Sequence, residues 1–199
     1  MGALTRISFL PMKSPPSLLS NLELLGLVFG VKSDYSAYRL TLKPLFDGSR
    51  GRLQLKCAAA RELVIRWMRE SLQEGSLLSD PAAVRDYLGL HFAGREHEAF
   101  MVLYLDAQNR LLGAEELFRG TLTQTAVYPR EILKCAMRHN AAGVIFAHNR
   151  PSGMAKPSAA DRQLTETLQK ALALVDIKVL DHFIVAGNAL VSFAERGWL

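Results

Sequence analysis

The chain has few cysteines and no dense run of charge of one sign. Its 199 residues include two cysteines, Cys57 and Cys135, each in an apolar stretch typical of a helix. Two thiolates cannot form a tetrahedral cysteine site, which excludes a zinc finger or an iron–sulfur protein. Both thiols are expected to be reduced and structural, as in a cytosolic protein.

Long hydrophobic runs are also missing. The longest apolar stretch, Leu22 to Val31, is interrupted by Glu23 and two glycines. It is far shorter than the ~20 residues of a spanning helix. The four-residue apolar patch after Arg6 is too short for a secretory signal. We therefore expect a cytoplasmic protein with no membrane partner.

What the chain does have is enough apolar content for a core. Hydrophobic residues make up 49% and charged residues 22%, which excludes wholesale disorder. The 24 Lys and Arg against 19 Asp and Glu leave a net charge of +5. This mildly basic balance tolerates a nucleic acid or an acidic partner but does not require one. The length fits one full domain and a smaller piece.

The apolar pattern places a domain boundary near residue 76. An amphipathic helix is predicted from Leu53 to about Leu72, because its apolar residues recur at spacings of three and four: Ala60, Leu63, Val64, Trp67, Met68 and Leu72. Gly75-Ser76 ends that helix. Asp80-Pro81 then predicts an N-cap and a helix to about Leu90. We predict a helical region over 1–76 and a second domain over 77–199.

Residues 77–199 alternate between strands and helices. Helices are predicted from Pro129, with Ile132, Leu133, Ala136 and Met137 on one face, and from Ser158 to about Leu174. Strands are predicted at Phe100–Leu105, Leu111–Phe118, Thr123–Val127, Gly143–Ala147, Ile177–Val185 and Ala189–Phe193. Hairpins together with strand–helix–strand units predict an α/β fold with a mixed sheet flanked by helices.

A candidate metal site follows the strand at Gly143–Ala147. His148 comes directly after that strand, and Ser158 and Asp161 begin the next helix. Imidazole and carboxylate are zinc ligands, and zinc lowers the pKa of a bound water to ~7. Ser158-x-x-Asp161 is also typical of a capping box, which its spacing favours, and a lone histidine is more often a hydrogen-bonded structural residue than a ligand. Spacing alone leaves both interpretations open.

A longer set of motifs resembles the RadC family of bacterial proteins. The segment Asn140–Gly153, followed by Pro157-Ser-x-x-Asp161, is similar to the family's signature. Further segments agree in unbroken order from Leu78 to Leu199: Val102–Asp106, Arg119–Leu122, Pro129–Glu131, Asp181-His182 and Ser192–Gly197. The resemblance implies a JAB1/MPN domain of cytidine-deaminase-like fold with a JAMM-type zinc site.

The resemblance also implies roles for individual residues. The family's site has the pattern His-x-His, seven residues, Ser, two residues, Asp, with a glutamate upstream. His148 and Asp161 match two zinc ligands, and Ser158 matches the catalytic serine. Glu98, two residues before Phe100, matches the general base, with Glu96 as the alternative. Zinc is the implied cofactor, and hydrolysis of an amide or isopeptide bond is the implied reaction.

The chain departs from this pattern at the second histidine, where it has Arg150. A guanidinium group stays protonated and has no lone pair, so it cannot ligate zinc. We predict a degenerate site with weak or absent zinc binding and little or no peptidase activity, in which Arg150 pairs with Asp161 or Glu98. The alternatives are an active zinc peptidase in which water or His182 completes the site, and a satisfied core role for His182.

Two other features bear on the metal site and on partners. Tyr128 is a second departure from the family pattern, because the family commonly has a histidine at this position, before Pro129-Arg130-Glu131. The segments Leu19–Gly26 and Ala58–Arg69 resemble the ends of the RadC N-terminal region, but no helix-hairpin-helix turn lies between them. DNA repair is thus a weaker alternative, and Arg61, Arg66 and Arg69 are expected on a solvated face. The implied partner is a protein or peptide, and MPN-type domains also self-associate.

Overall fold

The computed structural model describes residues 21–30, 52–119 and 127–199. The chain divides between Ala58 and Ala59 into two compact units. The first contains helix α1 (Asn21–Phe29) and the start of helix α2 (Arg52–Glu74). In this described part of the chain, no helix combines the length and apolarity needed to cross a bilayer. The domain boundary at residue 76 stays a prediction.

The second unit is built on a mixed five-stranded sheet. Its strands are β1 (Ala99–Leu105), β2 (Leu111–Arg119), β3 (Gly143–Asn149), β4 (Lys178–Ala186) and β5 (Ala189–Ser192). They lie in the order β2-β1-β3-β4-β5. The β3–β4 pair is parallel and the other pairs are antiparallel. The predicted α/β class and mixed sheet are confirmed, while most of the strand predicted at Thr123–Val127 lies outside the described residues.

Helices cover both faces of this sheet: α3 (Pro81–Phe92), α4 (Pro129–Arg138) and α5 (Ala159–Ala173). Because side chains alternate along a strand, Met101 and Leu103 pack with α2 and α3, whereas Val102 and Tyr104 pack with α4 and α5. All seven residues of β1 are buried, as its continuous apolar run predicted.

Local signals set where the helices begin. Asp80 Oδ1 accepts a hydrogen bond from Ala83 N at 3.0 Å, which caps α3, and Pro81 occupies its first position. Helix α4 begins at Pro129 and α5 follows the cap residue Ser158. Helix α5 connects two parallel strands, so its N-terminus lies at the carboxyl end of β3. This connection brings the predicted site residues to one end of the sheet.

The predicted apolar faces of α2 and α4 are partly wrong. On α2, Leu63 and Trp67 are 67% and 64% exposed, whereas Ile65 and Leu72 are buried. The apolar arc of this helix is wider than the stripe that packs on α3, so half of it stays uncovered. On α4, Met137 is 60% exposed and Cys135 is buried with Ile132 and Ala136.

Candidate functional site

The site lies where β3 ends and the chain turns towards α5. Arg150 N donates to Val185 O at 2.7 Å, which holds the backbone to β4 one residue beyond β3. Asn149 Oδ1 accepts from Ala99 N at 2.7 Å, and its Nδ2 donates to His97 O at 2.9 Å. These bonds connect the end of β3 to both neighbouring strands, and they fix His148 and Arg150 at this end of the sheet.

Ser158 and Asp161 form the capping box that their spacing allowed. Ser158 Oγ accepts from Asp161 N at 3.2 Å. Asp161 Oδ2 accepts from Ser158 N at 2.6 Å and from Ser158 Oγ at 2.7 Å. Both groups therefore satisfy the first turn of α5. The box uses Oδ2 alone, so it leaves Oδ1 of Asp161 available for another contact.

Arg150 forms an ion pair with Asp161. One of its terminal nitrogens, Nη2, donates to Asp161 Oδ2 and lies 3.2 Å from Ser158 Oγ. The side chains of Asp161 and Arg150 are 6% and 22% exposed. Arg150 Nε is buried without a hydrogen-bond partner. The arginine at the position of the missing histidine is thus bound to the predicted acidic ligand.

Hydrogen bonds link three buried side chains, His148, His182 and Thr165, and so connect the site to helix α5. His148 Nδ1 lies 2.9 Å from His182 Nε2, and His182 Nδ1 lies 2.6 Å from Thr165 Oγ1. Thr165 Oγ1 also donates to Asp161 O at 2.7 Å. A hydroxyl has one proton, so Thr165 accepts from His182 Nδ1–H. His182 Nε2 must then accept from His148 Nδ1–H.

This assignment leaves the lone pair of His148 on Nε2. That nitrogen is buried without a hydrogen-bond partner and lies 3.4 Å from Asp161 Oδ1. Burial lowers the pKa of His148 to about 4; Arg150 adds to the shift and Asp161 opposes it. Burial, and then His148, also lowers the pKa of His182. The site is therefore built around neutral imidazoles, with two electron-pair donors facing each other.

These residues do not fit a catalytic zinc ion. Such an ion takes three protein ligands, and His148 Nε2 and Asp161 Oδ1 supply two. Both ring nitrogens of His182 already have partners, and the guanidinium of Arg150 has no lone pair. Across the described ranges, no group of three or more His, Cys, Asp or Glu side chains is placed to hold a metal.

The remaining predicted residues lie around this site in different ways. The β1–β3 register pairs Phe100 with His148, so Glu98 stands at the same end of the sheet as Arg150. Glu98 is half-buried and Glu96 is exposed. Tyr128, which precedes α4, is exposed, and Arg130 stacks on its ring at 5.4 Å.

Thr165 was missed by reasoning from the sequence. Its signal is its position four residues after Asp161 on α5, which places both on one helix face. The aromatic contacts of the C-terminal segment were missed too. Phe193 packs on His182 with ring centroids 4.8 Å apart, and Trp198 packs on Phe193. Arg162 stacks on Trp198 at 4.3 Å, which ties this segment to the first turn of α5.

Comparison with known proteins bears on the same region. A family model described as a RadC-like JAB domain matches residues 78–198. A UPF0758 protein of Chromobacterium violaceum is 55% identical over 159 residues, which cover 78% of this chain and 71% of the relative. UPF0758 proteins of Thiobacillus denitrificans and Dechloromonas aromatica are each 60% identical, over 141 and 147 residues. These alignments cover 71% and 73% of this chain but 63% and 64% of the relatives' own length.

Proposed function

The chain belongs to the RadC-like JAB domain family, and from this membership we propose that it is a binding module with a degenerate JAMM site. In this proposal it binds zinc weakly or not at all, and it has weak or no peptidase activity. It acts by binding a protein or peptide partner. The observation that carries the proposal is the ion pair between Arg150 and Asp161.

The ion pair acts against metal binding in two ways. First, a guanidinium in contact with Asp161 repels any cation brought to the same carboxylate. Second, Asp161 Oδ2 already accepts from Arg150 and from the Ser158 amide and hydroxyl. Of the two carboxylate oxygens, this leaves Oδ1 alone for a metal. Even the loss of an outer partner typically costs 10–100-fold in metal affinity or activity, so a replaced ligand should cost more.

The rest of the fold supports binding without catalysis. The capping box and the hydrogen bonds from His148 to His182 and from His182 to Thr165 are formed with Arg150 in place. The arginine is therefore compatible with a well-packed domain, which retains the JAB architecture as a rigid framework. A partner would then contact a surface formed by the loop between β3 and α5, where Arg150 is the partly exposed charge.

Zinc content measured by elemental analysis tests the proposal. The wild type, Arg150→His and Arg66→His would be purified with zinc and dialysed without chelator. Arg66 is exposed on α2 and pairs with Glu62, so its variant controls for an added surface histidine. We expect about one zinc per chain for Arg150→His alone, with peptide-bond hydrolysis gained in the same variant.

Two results would contradict the proposal. A wild-type protein that already holds about one zinc, retained against a weak chelator, has a working site. If Arg150→His folds but gains no more zinc than Arg66→His, the arginine is not what prevents binding. Thermal melts with and without chelator give a second measure, because a metal bound to the folded state alone raises the melting temperature.

A further inference from the structure

Arginines from one helix and a loop surround His91 at the carboxyl end of α3. Arg61 and Arg69 come from α2, and Arg95 follows α3. We call these four residues the arginine cluster. The sequence predicted a solvated face for Arg61 and Arg69, but both are half-buried against α3. Removing a guanidinium group from water has a high desolvation cost, which hydrogen bonds and counter-charges must offset.

Two members of the arginine cluster satisfy the end of α3. Arg61 donates from Nε and Nη2 to Leu90 O at 3.2 and 2.6 Å, and from Nη2 to His91 O at 3.1 Å. Arg95 Nε donates to His91 O at 3.2 Å. Positive side chains near a helix C-terminus stabilise its free carbonyl groups. This structural role accounts for the positions of Arg61 and Arg95.

His91 adds no charge of its own. Arg95 Nη2 lies 3.0 Å from His91 Nε2, and because a guanidinium can only donate, this nitrogen accepts. Burial lowers the pKa of His91 to about 4, and Arg95, Arg69 and Arg61 contribute to the shift while Glu116 opposes it. His91 is therefore neutral at physiological pH, with its proton on Nδ1.

The carboxylate that contacts the cluster is already shared. Glu116 pairs with Arg95 and, at 2.6 Å, with Arg119. In the part of the chain that the structure describes, no carboxylate lies within ion-pair distance of Arg61 or Arg69. Burial and the nearby Arg95 lower the pKa of Arg61, with partial compensation from Glu62. Two guanidinium charges thus have no counter-charge in contact among the residues that the structure describes.

Arg69 has the most unused hydrogen-bonding capacity. Its Nη2 donates to Tyr87 Oη at 3.3 Å, while its buried Nε has no hydrogen-bond partner within the described ranges. Buried polar groups are almost always hydrogen-bonded, and an exception needs an explanation. A buried donor on an uncompensated cation is satisfied most directly by an anion.

We propose that Arg61 and Arg69 form a binding site for a phosphate dianion, either free phosphate or a phosphomonoester. Two guanidinium groups with no carboxylate in contact among the described residues match the double charge of that ligand. Arg61 already uses Nε and Nη2 on backbone carbonyls, so Arg69 Nε is the donor that would bind a phosphate oxygen directly. A carboxylate or a phosphodiester brings one charge and leaves the second guanidinium unpaired. The site packs with α3 on one face of the sheet, whereas Phe146 and His182 near the Arg150 site lie against the other face. The proposal is therefore independent of the proposed function.

Isothermal titration with inorganic phosphate tests the site. The titration is run at pH about 8, where the probe is doubly charged, and at constant ionic strength with chloride as the balancing anion. We expect a wild-type dissociation constant on the order of 1 mM. Arg69→Gln should weaken binding about tenfold, because it removes one charge and a fork of donors. Arg66→Gln, on the exposed side of the same helix, should bind as the wild type does.

Further variants and probes keep the result decisive. Glu116→Gln removes the carboxylate that pairs with Arg95 and that would repel an anion held beside the arginine cluster, so phosphate should bind this variant more tightly than the wild type. This measurement stands even if Arg69→Gln fails to fold. The absence of phosphate binding to the wild type overturns the proposal, as does an equal loss in Arg66→Gln. Binding of a short DNA duplex without binding of phosphate or a phosphomonoester also overturns it, in favour of a phosphodiester site.

Discussion

The ion pair between Arg150 and Asp161 predicts a specific loss of stability. Replacing Arg150 with methionine keeps most of the side-chain volume but removes the charge opposite a carboxylate that is 6% exposed. Breaking a fully buried pair costs about 3–5 kcal/mol, whereas an exposed pair contributes less than about 1 kcal/mol. Because Arg150 is 22% exposed and Asp161 keeps two donors from Ser158, we expect an intermediate cost.

The expected cost of Arg150→Met is about 2–3 kcal/mol in the free energy of unfolding. For a chain of this size it corresponds to a melting temperature lower by roughly 4–12 °C. Urea unfolding followed by circular dichroism measures the free energy, and the control is Arg66→Met. That control breaks an exposed pair with Glu62 and should cost less than about 0.5 kcal/mol.

A double-mutant cycle with Asp161→Asn separates the ion pair from other effects of each change. We expect a coupling of at least about 1 kcal/mol between positions 150 and 161, since the two side chains are in direct contact. A coupling near zero would refute the reasoning that the arginine neutralises Asp161. So would an Arg150→Met protein as stable as the wild type. Either result would also weaken the proposal that the ion pair opposes zinc binding.

Three further predictions concern stability elsewhere in the fold. Because burial and the arginines lower the pKa of His91 from 6.5 to about 4, the unfolded chain takes up a proton that the folded chain refuses. The wild type should lose up to about 3 kcal/mol in the free energy of unfolding between pH 6.5 and about 4. Urea titrations at several pH values should show that this free energy changes less with pH in His91→Gln, and an equal pH dependence in the two proteins would contradict the prediction. Ser158→Ala removes the cap of α5 and should cost about 1–2 kcal/mol in thermal melts, where an unchanged melting temperature would argue against the capping box. A Cβ on Gly113 would lie 2.6 Å from His139 Cε1, so Gly113→Ala should destabilise by about 1–3 kcal/mol. Gly89→Ala should stabilise helix α3 by about 0.5–1 kcal/mol, because nothing lies within 4 Å of the added Cβ. A Gly113→Ala protein more stable than Gly89→Ala would contradict this prediction.

Much of the fold was predictable because its signals are local. The continuous apolar run at β1 and the Asp80-Pro81 helix start can each be recognised from a few neighbouring residues. The capping box at Ser158 is equally local, since its partners are three residues apart. Such signals depend on the backbone conformation and apolar character of one short segment, not on its contacts with residues that are distant in the sequence.

Packing between helices was predicted less well. The apolar residues of α2 indicated which side of the helix is hydrophobic, but not how much of that side α3 covers. Leu63 and Trp67 stay exposed because the contact follows a narrower stripe through Ile65 and Leu72. Arg61 and Arg69 become half-buried for the same reason, since they flank that stripe. The position of a neighbouring helix is a property of the whole domain, and one helix's pattern does not contain it.

At the site, the chemistry of the individual residues follows from residue order alone. That order places Arg150 two residues after His148, and an arginine cannot ligate a metal. Which carboxylate the arginine contacts depends on the folded domain, as do the hydrogen bonds by which His182 and Thr165 orient the ring of His148. These partners meet because α5 crosses between parallel strands and brings distant parts of the chain within hydrogen-bond distance. That proximity depends on strand register and helix placement, which residue order alone does not specify.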